Sequence, residues 1–301
     1  MERGIDMKKM AVVIIAILIT MSIAHTVSAN GSVGITLGYS NRGFERQFGG
    51  ISNPSMVENS RRAIAIGISA GMYVADRVSI SFNGTYLIGN NLVKYNEDPK
   101  EAPSFSGVNL HLFGRYDLLT NSKYKIGVQV GAIYEFLKDN MDFLGINDYS
   151  ELKLVYDGTL STIAIVAGVY GEIEVLPRVK VFADIKMPVI EWKKGDAVVK
   201  RESKSFMFPG LDDEKEDTFA RSTENVFWKN FMYDLKLGFE YQINSTVSIG
   251  LFGHVSNINM DTIMMASCKM TDAGSSSYSW NLMPRYTSPA FSISLGAKYV
   301  F

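Results

Sequence analysis

The chain has 301 residues, with 30 Lys and Arg against 31 Asp and Glu and a formal net charge of -1 at pH 7. That balance leaves no basic surplus to neutralise phosphates, which excludes nucleic acid as a partner. Cys268 is the single cysteine, so the chain forms no intramolecular disulfide and must draw its stability from backbone pairing and from its surroundings.

In chain order, the first feature is Met7-Lys8-Lys9, followed by an apolar run from Met10 to Ala24 and then by Val27-Ser28-Ala29. A basic start, a short apolar stretch and small residues at the first and third positions before Asn30 make a secretory signal peptide. A transmembrane helix would need roughly 20 apolar residues. The expected division is a signal peptide over residues 1–29 and a single domain over 30–301. No Cys follows the cleavage site, which argues against a lipoprotein anchor. No second long apolar run appears downstream, so the chain is expected to be exported without being a helical membrane protein.

From there the pattern has a period of two, the signature of strands with two unlike faces. The first strand sets Val33, Ile35, Leu37 and Tyr39 against Gly34, Thr36, Gly38 and Ser40. The second carries Ile64, Ile66, Ile68, Ala70, Met72 and Val74 on one face; a tight turn at Ala75-Asp76-Arg77 leads to the third, with Val78, Ile80, Phe82, Gly84 and Tyr86. The fourth (Val108, Leu110, Leu112, Gly114, Tyr116) turns through Leu119 to Lys123 into the fifth (Tyr124, Ile126, Val128, Val130, Ala132, Tyr134). The sixth carries Ile163, Ile165, Val169 and Ile173. It turns at Leu176-Pro177-Arg178, where a missing backbone donor costs nothing, and returns as Val179, Val181, Ala183, Ile185 and Met187. The eighth (Tyr233, Leu235, Leu237, Phe239, Tyr241) reaches Ile243-Asn244-Ser245 and continues as the ninth (Val247, Ile249, Leu251, Gly253, Val255). The last alternates Phe291, Ile293, Leu295, Ala297, Tyr299 and Phe301 with Ser292, Ser294, Gly296 and Lys298.

Connections after even-numbered strands are short. Those after odd-numbered strands are long: about Asn41 to Arg61, Gly89 to Ser106, Phe136 to Leu160, Pro188 to Met232 and Asn257 to Pro289. This asymmetry, with the aromatic-terminated last strand, resembles the bacterial outer-membrane β-barrels, in which the assembly machinery reads an apolar C-terminal strand ending in an aromatic residue. The resemblance is one of architecture, as in the OmpX, OmpW and opacity-protein families, without a subfamily fingerprint. It implies an all-β, antiparallel, up-and-down transmembrane β-barrel of about ten strands, eight being possible if two weak segments are loops. It also implies integration into the outer membrane of a double-membraned bacterium, short turns and both chain ends on the periplasmic side, and Tyr299 and Phe301 as the assembly signal.

A soluble barrel has the same period with its apolar face inward. The aromatics distinguish the two. Tyr39, Tyr86, Tyr134 and Tyr233 occupy the apolar face at the loop ends, and Tyr116, Tyr124, Tyr241, Tyr299 and Phe301 occupy it at the turn ends. Two such rings are what an interface girdle requires at the two lipid headgroup levels. The opposite, inward parity carries Arg115, Asp117, Lys125, Glu135, Glu172, Glu174, Lys180, Asp184, Lys186, Asp234, Lys236, Glu240 and Lys298. Mixed signs fit either a pairing network that holds the lumen together or the lining of a narrow pore. The small inward residues of the first three strands leave room on one side.

His254-Val255-Ser256-Asn257 resembles the His-x-Ser-Asn string of outer-membrane lipid A deacylases, in which a histidine activates a serine and an acid orients the histidine. The resemblance covers four residues. The expected downstream acid is replaced by Met264-Met265-Ala266-Ser267-Cys268, with Glu240 or Asp261 as substitutes. The ten-strand omptin proteases need paired aspartates and a His-Asp pair at the mouth, and the other mature histidine, His111, falls inside a strand. The fourth long loop joins a basic stretch, Lys193 to Lys204, to an acidic one, Asp212 to Asp217, without calcium-loop spacing, and reads as a solvated surface loop. The fifth holds Met260, Met264, Met265, Cys268 and Met270 without a copper motif, and reads as an apolar lid. Trp192 and Trp228 flank the fourth loop, at the interface. No catalytic, cofactor or metal site is assigned. The functional expectation is passage of small solutes, with a surface-exposed adhesin or scaffold binding host ligands as the alternative and an esterase using His254 and Ser256 as a lesser one. Expected partners are outer-membrane lipid and the barrel assembly machinery.

Overall fold

The structure is a computed structural model that describes residues 31–50, 53–93, 104–146, 150–205, 213–226, 233–257, 285–286 and 290–301. The segment read as a signal peptide, Asp261, Trp228 and the Met and Cys residues of the fifth loop lie outside the described residues. The described strands are β1 (Gly31–Gly50), β2 (Asn53–Ala75), β3 (Val78–Val93), β4 (Ser104–Thr120), β5 (Tyr124–Ile146), β6 (Ser150–Leu176), β7 (Val179–Ser205), β8 (Asp213–Val226), β9 (Asp234–Gln242), β10 (Val247–Ser256), β11 (Arg285–Tyr286) and β12 (Ala290–Val300).

Each strand pairs antiparallel with its neighbours in the order β1-β2-β3-β4-β5-β6-β7-β9-β10-β12, and β1 pairs with both β2 and β12, so the sheet closes on itself. The result is a closed ten-stave barrel. Two staves are interrupted. β8 pairs with β7 from Ile190 upward while β9 pairs with it from Lys186 downward, and β11 and β12 share β1 in the same way. The seam is tied at the chain end, where the Phe301 amide donates to the Gly31 carbonyl at 3.0 Å and the Gly31 amide donates back at 3.2 Å.

The face of the sheet follows from the two-residue alternation. Ile35, Leu37 and Leu295 are 59%, 60% and 66% exposed on the outside, whereas Ala63, Ala65, Phe113, Ile133 and Val166 are buried on the inside. A continuous apolar exterior is far larger than soluble monomers tolerate and is what a lipid-facing band supplies. Among the described residues no helix is long and apolar enough to cross a membrane; strands do the crossing.

Local chemistry sets the short turns. The Asn121 side chain accepts from the amides of Lys123 and Tyr124, both at 2.8 Å, and Asn244 accepts from the amides of Thr246 and Val247 at 2.9 and 2.7 Å. Asx turns of this kind replace the ladder bonds that the reversal removes. Between β6 and β7 the reversal is Pro177-Arg178, with Arg178 at φ 71°.

At the opposite end the structure differs from the sequence reading. Much of what reads as long loop is paired backbone: β1 and β2 stay in register to Gly50 and Asn53, and β6 and β7 to Ser150 and Ser205. In these segments the pairing continues without the two-residue alternation that marks a strand in the sequence. The basic and acidic stretches of the fourth loop lie opposite each other in the β7–β8 ladder, with Lys200 facing Glu216 and Ser203 facing Asp213.

Candidate functional site in the lumen

The inside of the barrel divides into a filled half and an open half. Large side chains come from β4 to β10, and four inward aromatics there stand opposite a glycine on a neighbouring strand: Phe113 and Gly131, Tyr170 and Gly127, Phe182 and Gly238, Phe252 and Gly238. The rings lie across those glycines. A Cβ on Gly127 would come within 2.6 Å of Tyr170 Cζ, and one on Gly238 within 2.7 Å of Phe252 Cδ1. These aromatics were absent from the sequence-derived site. The inward-parity glycine beside each is the signal that finds them, since a ring covers a missing side chain on an adjacent strand.

The charges form a connected network. Arg115 Nη2 donates to Asp184 Oδ2 at 3.0 Å and Arg115 Nε to Gln129 Oε1 at 3.2 Å, while the Gln129 amide donates to Asp184. The guanidinium also lies 4.9 Å from the Tyr170 ring centroid. Nearer the turns, Tyr170 and Tyr73 both donate to Asp117, and Lys125 donates to the Tyr73 hydroxyl and stands 3.9 Å from Asp117. Lys180 pairs with Glu172 at 2.7 Å. Glu240 takes Lys298 at 2.7 Å and the Ser248 hydroxyl at 2.8 Å. Glu174 accepts from the Arg178 amide at 3.3 Å, and Glu135 lines the cavity.

Toward the loop end, Lys186 lies between Asp234 at 2.9 Å and Asp184 at 3.4 Å, and His254 Nε2 contacts Asp234 Oδ2 at 2.6 Å. Two residues that the sequence assigned to a loop also turn inward here. Pairing passes from Ile165–Ile190 to Val166–Pro188, so Val189 bulges, the parity of β7 flips, and Glu191 and Lys193 become an internal ion pair at 3.0 Å with Trp192 outside. A bulge that re-aims a run of side chains leaves no mark in a period-two count.

Among the described residues His254 thus has Asp234 as its acid partner, and Glu240 is committed to Lys298 and Ser248. Ser256 is the next inward residue on β10, buried, with its backbone opposite Asp234. Such a pair can orient an imidazole. Among the described residues no group of three or more His, Cys, Asp or Glu is placed to hold a metal ion.

The open half faces β12, β1, β2 and β3. There a cavity of about 410 Å³ is lined by Ser32, Thr36, Ser69, Ser81, Asn83 and Thr85, and by the charges of the filled half. On the outer surface, Tyr39, Tyr116, Tyr124, Tyr241 and Tyr299 are exposed, while Tyr86, Tyr134, Tyr233 and Phe301 are half-buried. The Tyr299 and Phe301 rings stack at 6.3 Å.

A closed, even-numbered antiparallel barrel with an apolar outside and a polar, charged inside defines the outer-membrane β-barrel class. In agreement, the structure is similar to the outer membrane protease OmpT of Escherichia coli, with 12% identity over 90% of this chain and 97% of that one and a TM-score of 0.51. This shows that the chain has the fold of a bacterial outer-membrane β-barrel protein. A Pseudomonas aeruginosa FadL homologue (10% identity, 90% of each chain, TM-score 0.36) and Ail, the attachment invasion locus protein of Yersinia pestis (12% identity, 90% and 99%, TM-score 0.28), also match. Their TM-scores are too low to bear on the argument. No protein-family model and no curated protein matches the sequence.

Proposed function

We propose that the protein is a narrow channel for small polar solutes. The observation that carries this reading is the cavity, whose lining runs from Ser32 and Lys298 at the turn end to Ser40 and Ser256 at the loop end. The staves that border it on the open side contribute chiefly Ser, Thr, Asn, Gly and Ala, which suit water and small hydrogen-bonding solutes. Most lumen charges neutralise one another, so the network reads as the wall that narrows the pore, since a charge-selective filter concentrates one sign. Tyr299 and Phe301 are proposed as the segment engaged by the assembly machinery, and the tyrosine rings as the interface girdle.

The test is conductance across a planar bilayer by the refolded mature chain, after heat-modifiable migration has established the folded barrel. Discrete, voltage-stable steps are expected. A folded but electrically silent protein overturns the reading.

A second reading, a surface-exposed scaffold that binds through the loop end, draws on the ladder of β6, β7 and β8 above the bulge. Past the internal Glu191–Lys193 pair, that ladder continues as paired backbone to Ser150, Ser205 and Asp213. Esterase chemistry draws only on His254 and Ser256. Asp234, the acid such chemistry would use, is already shared with Lys186.

A further inference from the structure

Among the described residues, Lys236 is the one lumen cation with no carboxylate at ion-pair distance. Its strand neighbours explain why. Across β7 it faces Asp184, whose oxygens are taken by Arg115, Gln129 and Lys186, and across β10 it faces His254, whose ring is turned to Asp234. What Lys236 does touch is aromatic: its ammonium lies 5.0 Å from the Phe252 ring centroid and 5.8 Å from that of Phe182. The two rings meet at 5.4 Å and make a partial box.

An ammonium has three donors and no acceptor capacity. Ring faces attract the charge but accept no strong hydrogen bond, so the side of Lys236 turned to the cavity keeps its donors for something else. That cavity is lined by Lys236, Phe182, Phe252 and His254 on one wall. Across the barrel, on β3, the wall is Ser81, Asn83 and Thr85. Among the described residues, the hydroxyl of Ser81 and the side-chain oxygen of Asn109, both in the lining, have no hydrogen-bond partner.

We infer that Lys236, with Phe182 and Phe252, forms a binding site in the lumen for small organic carboxylates with an apolar body. The carboxylate meets the ammonium, a charge-assisted contact about twice as strong as a neutral one. The apolar body lies against the aromatic wall, and the polar far wall solvates what remains exposed. As a selectivity element in transport the site rests on the channel reading above. As a binding site it does not.

The experiment is calorimetric titration of the folded, detergent-solubilised mature chain with sodium benzoate, and with benzamide as a neutral analogue of nearly the same shape. Wild type is expected to bind benzoate saturably and to prefer it to benzamide by about tenfold or more. Lys236→Met is expected to weaken benzoate by a similar factor, and Lys236→Arg to retain most of the affinity. Unchanged benzoate affinity in a folded Lys236→Met protein, or no saturable benzoate binding by wild type, overturns the inference. Should Lys236→Met fail to fold, the benzoate-to-benzamide ratio of wild type decides: a ratio near one overturns it. A barrel that binds benzoate but stays silent in the bilayer rejects the channel and leaves this site standing.

Discussion

The carboxylate of Asp184 is the residue on which the filled half of the lumen turns. It receives Arg115, Gln129 and Lys186, and its own side chain is buried. Removing it would leave two cations and an amide aimed at an empty position. Breaking a buried pair costs more than the pair contributes, because the stranded charge remains. Arg115 keeps some solvent, which moderates the loss. Asp184→Ala is expected to lower stability by about 2 kcal/mol, read as a lower urea midpoint for the barrel refolded in liposomes. An unchanged midpoint would mean that lumen water already serves those groups and that the network holds nothing together. Its members were individually readable as inward charges, but their partners were not: Arg115 and Asp184 stand 69 positions apart in sequence, and nothing local links them.

Strands are governed by parity, and β7 shows how one residue resets it. Up to Pro188 the even-numbered residues point inward; past the bulge at Val189 the odd-numbered ones do, which brings Glu191 and Lys193 inside and puts Trp192 outside. Deleting Val189 removes the extra residue: Ile190 then follows Pro188 directly, still opposite Ile165, and plain alternation keeps Glu191 and Lys193 inside. Deleting both Val189 and Ile190 shifts the strand by one more residue, and a one-residue slip reverses every side chain beyond it. The single deletion is expected to give heat-modifiable, folded protein at near wild-type yield, and the double deletion a sharp fall. Loss of folding on the single deletion would overturn this reading of the bulge.

At the scale of the molecule, the apolar band and the interior make opposite demands. Leu251 is exposed at mid-strand, in register with Leu295 and Phe239 on the neighbouring staves. An arginine there is expected to cost about 2–4 kcal/mol in a bilayer, measured by denaturant unfolding in liposomes. In a water-soluble barrel the same change would be neutral or favourable, so a null result would reject the membrane assignment of this face. The extended hairpin of β7 and β8 permits a cut at whole-element scale. Excising residues 195–221 and closing with a tight turn should leave bilayer conductance intact, because the cavity lies below. Loss of conductance would place part of the pore in the hairpin, and loss of binding to host surfaces with conductance retained would favour the scaffold reading.

Alternation, turn residues and spacing between strands are local properties of the chain, and they alone determined the ten staves, the short turns and the outward face. Each of the ten strands seen in the period of two is a stave of the closed barrel. The tertiary structure decided what depends on closure: which inward charges meet, that Asp234 is the partner of His254, that rings of β4, β6, β7 and β10 lie over glycines next door, and that Lys236 is left facing the cavity. The reason is physical. A strand's faces follow from the geometry of its own backbone, whereas contacts across a lumen depend on how the whole sheet curls and staggers when its first and last strands join.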